Sequence, residues 1–233
     1  MTNSHAVLFS ACALLAITGV GCGSGPSHAS APPAQTPSAD TAATGDDLIR
    51  RGAADQRVRS LDPSAMTEMQ QIAWADDISR VDEGNTAWLK DLIDRQGWPD
   101  RPRFGDDAST AAFLIVQHAD ADPQFQAHCL PLLEAAVQRG EVKPSRLAYL
   151  TERVRVKQGR PQLYGTQYNA LHGRDGLVMG DNDEPIYEIP LVEDAANLDA
   201  RRAAAGLGPW IEYERRMAQQ QKRLAVESPR DGR

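Results

Sequence analysis

At 233 residues, with 41% apolar side chains, the chain has room for one ordinary domain plus appendages and enough apolar content for a real core. Its net charge of −7 and the lack of a basic stripe with interleaved aromatics argue against a nucleic-acid binder. Three cysteines, at 12, 22 and 129, are too few for a disulfide framework.

Residues 1–22 contain no Lys, Arg, Asp or Glu, and residues 6–20 form an apolar run. That run is short for a membrane-spanning helix, which needs about 20 apolar residues, but it suits the core of a signal peptide. Gly21-Cys22 at its end resembles the cleavage site of bacterial lipoproteins. The resemblance implies that Cys22 is lipidated, that the membrane is a partner through this anchor, and that the protein is exported to the cell envelope. Secretion as a soluble or periplasmic protein, with cleavage after Ala29 in the small-residue context Ser27-His28-Ala29, is the alternative. Cys129 is then left without a partner, unless an unlipidated Cys22 bridges to it. Residues 23–45 are Gly, Ser, Pro, Ala and Thr with hardly an apolar side chain, the composition of a disordered tether.

The folded part is expected from 46 to 226, with 227–233 a polar tail. Residues 46–59 read as a charged amphipathic helix. Asp62-Pro63 offers an N-cap and a first-turn Pro for a second helix through Met66, Met69, Ile72 and Ala73. Trp88, Leu89, Leu92 and Ile93 mark a third, ended by Gly97 ahead of Trp98-Pro99. These helices read as structural, with Trp74, Trp88 and Trp98 in the core.

Asp107 or Ser109 is the expected cap of a helix whose centre, residues 111–116 (AAFLIV), is apolar on every side and therefore buried. It delivers Gln117 and His118 at its C-terminal end, where the helix dipole favours a cation. Asp122-Pro123 opens the next helix, with Phe125, Cys129, Leu132, Leu133, Ala136 and Val137 on one face; Pro131 predicts a kink or break. From Pro144 a further helix buries Leu147, Leu150 and Val154 and carries Arg146, Tyr149 and Arg153 on a neighbouring face, with Glu152 at the edge.

Gly159 and Pro161 end that helix, and residues 163–168 have the aromatic and β-branched content of a short strand with Gly165 in its middle. Alternation would set Gln162, Tyr164, Thr166 and Tyr168 on one face and Leu163, Gly165 and Gln167 on the other. Leu177, Val178 and Met179 with residues 186–189 suggest a hairpin, and 197–205 and 209–225 are helices. The fold class is mainly α: a single helical domain with a small antiparallel β-hairpin element, a minor α+β component.

Several motifs occur together: Gly97-Trp98-Pro99, residues 116–120 (VQHAD), Phe125-Gln126, residues 148–154 (AYLTERV), Gln162, residues 164–167 (YGTQ), and Arg201-Arg202 ahead of Gly206-Leu207. As a set they resemble a bacterial domain-of-unknown-function family, number sixty-six twenty-four, over roughly residues 46–215. The resemblance implies one coherent domain and brings no activity or cofactor. Glu152 stands where the family pattern has Asp, which keeps the carboxylate but moves it by a methylene.

His118 is the leading candidate for chemistry, as a general base near neutral pH or a metal ligand. A metal is not expected: Asp120 and Asp122 are explained by a turn and an N-cap, and His128 and His172 stand in no ligand-like spacing with His118. No cofactor is expected either, because G-x-S-x-G, P-loop and G-x-G-x-x-G patterns are absent from the sequence. Cys129 lies on an apolar stripe, where a thiol is an inert small hydrophobe. Arg201-Arg202 has the form of an anion-binding pair or of a solvated face.

Three readings follow. In the first, Gln117, Gln126, Tyr149, Gln162, Tyr164, Thr166 and Gln167 bind a small polar ligand such as a peptide, a sugar or a cell-wall fragment. In the second, the domain is a hydrolase-like enzyme with His118 as base and Glu152 or Arg153 orienting groups or stabilising charge. In the third, these side chains form a buried polar network that fixes the fold. Whether the protein is an enzyme stays open at this point.

Overall fold

Two small residues set the architecture. On the first helix, α1 (Ala39–Arg59), the buried positions are Gly45, Leu48, Gly52 and Asp55, spaced three, four and three apart, so they form one stripe. A Cβ on Gly52 would lie 2.6 Å from the Ala111 Cβ, so only glycine lets α1 press this closely on α3 (Arg101–His118). The coordinates are a computed structural model that describes residues 38–61, 66–170, 172–173, 176–177, 187–188 and 191–217.

α1 begins at Ala39, ahead of the expected 46, so the end of the predicted tether is helical. Ser38 is the reason: its hydroxyl accepts from the Thr41 N–H at 3.2 Å and satisfies a donor that the first turn leaves open.

The expected second and third helices are one helix, α2 (Glu68–Gln96). Its cap is Thr67 in a reciprocal box with Gln70, rather than Asp62, and residues 62–65 lie outside the described residues. No proline interrupts it, and its buried residues all fall between Asn85 and Ile93. Met69 and Ile72, which mark the expected second helix, are exposed. Gly97 takes a positive φ of 74° and ends the helix, and Trp98 turns into the core.

α3 also starts earlier than expected. Asp100 caps it, accepting from the Arg103 N–H at 3.0 Å, Pro102 sits in the first turn, and Gly105 (φ 84°, ψ 170°) breaks the helical path. Ser109, one of the two expected caps, is buried inside the helix. Beyond the break, Ala111, Ala112, Phe113, Ile115 and Val116 are buried, as an all-apolar turn requires.

Asp122 caps α4 (Pro123–Gln138), accepting from the Phe125 N–H at 2.9 Å. α4 runs on through Pro131 without the expected break; the ring lies on the exposed side. α5 (Pro144–Lys157) has its proline in the first turn, buries Leu150 and Val154, and ends before Gly159 (φ 67°). The core lies between these five helices, with Leu48, Leu89, Leu92, Ile115, Leu133 and Leu150 almost fully buried. Each such side chain contributes ~1.5–3 kcal/mol from apolar burial.

Residues 163–168 do not form the expected strand. Gly165 takes a positive φ of 60°, and the segment's main-chain groups bond to side chains rather than to a ladder; just before it, among the described residues, Gln162 makes an isolated parallel bridge with Val192. Two-residue antiparallel pairings follow, β1 (Asn169–Ala170) with β4 (Tyr187–Glu188) and β2 (His172–Gly173) with β3 (Gly176–Leu177). The expected hairpin of 177–179 with 186–189 falls mostly outside the described residues. A 3-10 turn (Ala195–Asn197) leads into α6 (Leu198–Ala204), and α7 occupies 210–217, the described part of the helix expected over 209–225. The domain is mainly α. Among the described residues, no helix is long and apolar enough to cross a membrane.

Candidate functional site

His118 ends α3 with its ring 7% exposed, and its Nδ1 lies 2.7 and 2.9 Å from the two carboxylate oxygens of Asp55. Asp55 is 1% exposed and 63 residues away in sequence. The close α1–α3 approach at Gly52 delivers it, one helical turn further along the same stripe. A carboxylate is an acceptor only, so in this contact His118 donates from Nδ1.

Asp55 is itself held. Arg59 Nη1 donates to it at 2.7 Å and Gln56 Nε2 at 2.7 Å, while Arg59 Nη2 reaches both oxygens of Asp82 on α2, at 2.7 and 2.6 Å. The chain His118–Asp55–Arg59–Asp82 therefore ties three helices together. Burial pushes the Asp82 carboxyl up, against the bond and charge of Arg59.

The turn after His118 carries a second ion pair. Arg153 Nη1 donates to both Asp120 oxygens at 2.6 Å, with the Arg153 side chain 4% exposed and that of Asp120 36%. Burial alone would raise the Asp120 pKa, but the Arg153 charge and hydrogen bond, with help from Lys157 and Gln126, hold it below the usual carboxylate value. Gln126, fully buried, donates from Nε2 to the Val116 and Gln117 carbonyls at 3.1 and 3.3 Å. It thus adds a side-chain donor to the carbonyls at the end of α3. Gln117 Oε1 and Gln126 Oε1 are buried without a partner among the described residues.

The remaining candidates serve the loop at 161–168. Glu152 takes the N–H of Leu163 at 2.7 Å on one oxygen and that of Gly165 at 3.1 Å on the other. Burial pushes its carboxyl up, while the N–H groups of Leu163, Tyr164 and Gly165 pull the other way. This is a loop clamp, and both of its oxygens are engaged away from His118. Gln162 closes the loop in the manner of a strand partner: its Nε2 donates to the Gln167 carbonyl and its Oε1 accepts the Gln167 N–H, both at 2.9 Å.

Arg202 Nη1 donates to the Tyr164 carbonyl at 2.6 Å, Arg201 Nε to the Leu163 carbonyl at 2.9 Å, and the Tyr213 hydroxyl to the Thr166 carbonyl at 2.9 Å. The arginine pair therefore binds main chain. Tyr149 packs half-buried against the core.

The structure thus brings together His118, Gln117, Gln126 and Arg153 around the end of α3, and gives Glu152, Gln162, Tyr164, Thr166 and Gln167 to the loop. Sequence reasoning missed Asp55, Arg59 and Asp82. The available signal was a carboxylate in step with Leu48 and Gly52, on the face that a helix buries.

Cys129 is fully buried, and burial pushes its thiol up to about 12, which removes it as a nucleophile. Among the described residues, no group of three or more His, Cys, Asp or Glu is placed to hold a metal ion.

Comparison with known proteins identifies the chain by family. It belongs to the family of unknown function DUF6624, whose model matches residues 44–226. No curated protein and no solved structure matches it.

Proposed function

We propose that this DUF6624 chain is an exported, lipid-anchored envelope protein whose His118–Asp55 pair is a proton-transfer centre for hydrolysis of a small polar substrate, of the peptide or cell-wall-fragment kind. The observation that carries the reading is the buried Nδ1–carboxylate contact at 2.7 Å. A carboxylate there orients the imidazole and stabilises the imidazolium formed when Nε2 takes a proton. In the proposed step Nε2 accepts a proton from water as the water oxygen bonds to the substrate's carbonyl carbon. The same proton then passes to the leaving group as its bond to that carbon breaks.

Binding by a row of neutral amides and hydroxyls is the weaker reading, since Gln162 is spent on the loop and Gln126 on the α3 carbonyls. One observation favours a second reading, that of a purely structural network: Asp55 is charge-paired with Arg59 as well as bonded to His118.

The test is a panel of chromogenic esters, peptides and cell-wall fragments. Turnover should fall at least ~100-fold in His118→Gln, the usual scale of lost general-base catalysis. If no substrate turns over, or His118→Gln turns over like the parent, the structural reading replaces this one. The anchor is tested separately: mass spectrometry of the native protein should find acyl chains on Cys22, and Cys22→Ser should release the domain from membranes.

A further inference from the structure

A cleft of about 340 Å3, open to solvent, lies between α1 and α2 and is lined by none of the residues of the His118 site. Arg50 and Arg51 enter it from α1 and Arg80 from α2, with Asp47 its one acidic wall residue. In a chain of net charge −7 this is a local reversal of sign.

Arg51 is held in place. Its Nη1 donates to Asn85 Oδ1 at 3.2 Å, and its guanidinium carbon lies 4.6 Å from the centre of the Trp88 ring. Burial lowers its pKa, Asp47 raises it, and the like charge of Arg50 lowers it again, a repulsion that a bound anion would relieve. Among the described residues, Arg50 and Arg80 form ion pairs with Asp47 and Asp77 on their own helices, and both arginine side chains are largely exposed. Such pairs contribute little and are readily exchanged for a better partner.

Gly84 gives the cleft its room. It lies inside α2, where glycine is unfavourable relative to alanine, and a Cβ there would meet nothing within 4 Å. Neither helix propensity nor packing accounts for a glycine at this position.

We propose that this cleft binds a phosphoryl group, gripped by Arg50, Arg51 and Arg80 in the space beside Gly84. Guanidinium forks match phosphate oxygens in pairs, and convergence from two helices fixes the group's position as well as its charge. The phosphoryl source is either a free phosphate compound or the headgroup of an anionic lipid.

The experiment uses the full chain, its Gly84→Gln variant and its Arg50→Gln/Arg80→Gln variant, all changed at exposed positions and checked by circular dichroism. Inorganic phosphate is titrated by calorimetry, and co-sedimentation is measured with phosphatidylcholine vesicles with and without phosphatidylglycerol. Saturable phosphate binding should weaken roughly tenfold or more in both variants, as expected on loss of charge-assisted bonds or of the space. If the phosphatidylglycerol-dependent part of sedimentation falls in the same variants, the source is a lipid headgroup; if it does not, the source is a free phosphate compound. No saturable phosphate binding, or binding that either variant leaves unchanged, overturns the proposal.

Discussion

Gly52 on α1 and Ala111 on α3 meet so closely that a methyl group at position 52 would lie 2.6 Å from the Ala111 Cβ and 3.1 Å from its Cα. Gly52→Ala therefore forces the helices apart, even though alanine is the better helix former. The expected net cost is ~1–3 kcal/mol, the range for overpacking a core. Urea denaturation of the variant measures it, and a gain in stability would show that α1 shifts without resistance.

Asp55 serves three donors, and His118 is only one of them. Asp55→Ala leaves Arg59 and His118 without their shared acceptor and is expected to cost ~3–5 kcal/mol, the scale for breaking a buried ion pair. His118→Gln leaves Asp55 with Arg59 and Gln56, so it should cost clearly less. The two denaturation midpoints rank the residues, and the reverse order would place the network's anchor at the imidazole.

Gly165 has a positive φ of 60°, and a Cβ there would lie 2.6 Å from Trp210 Cζ3. Gly165→Ala combines backbone strain with displacement of the indole, a loss on the order of 1–3 kcal/mol. Trp210 also stacks on Tyr168 with ring centres 6.0 Å apart, so the variant should alter the near-ultraviolet circular dichroism. An unchanged aromatic signal would mean that the loop holds its path without the indole.

The Asp120–Arg153 pair sets a pH dependence. Because the folded-state pKa of Asp120 is held below its ordinary value, the pair's contribution is complete above the ordinary carboxylate range and is lost as pH falls through the folded-state pKa. The stability of the parent relative to Asp120→Asn should therefore shrink on acidification. Denaturation midpoints of both proteins, measured between about pH 7 and pH 3 to span that range, test this; a constant difference would mean that the pair does not carry the shift.

The helix starts at Asp122-Pro123 and Pro144 were legible because capping and first-turn proline act locally, and the burial of residues 111–116 followed from their all-apolar composition. Gln117 and His118 were placed at a helix end for the same reason. What failed was tertiary. Residues 163–168 have strand-forming side chains, but Glu152, Arg201, Arg202 and Tyr213 supply their bonds from distant positions, and a positive φ at Gly165 bends the path. Asp55 was hidden because its partner is 63 residues away, and an acidic residue on a charged helix passes for surface. The exposure of Met69 and Ile72 was equally out of reach: periodicity gives a face but not whether anything packs on it.

That uneven packing makes α2 two objects in time. At 29 residues it is about 43 Å long at ~1.5 Å per residue, yet its buried residues begin only at Asn85. The turns before it are tied back by the Trp74 indole, whose N–H donates to the Val58 carbonyl at 2.6 Å. Hydrogen exchange should divide the helix accordingly, with amides around Ile72 opening by local fraying and those around Leu92 only with the whole domain. A rod that is continuous in space would thus report two separate lifetimes, with the indole as the clasp between them.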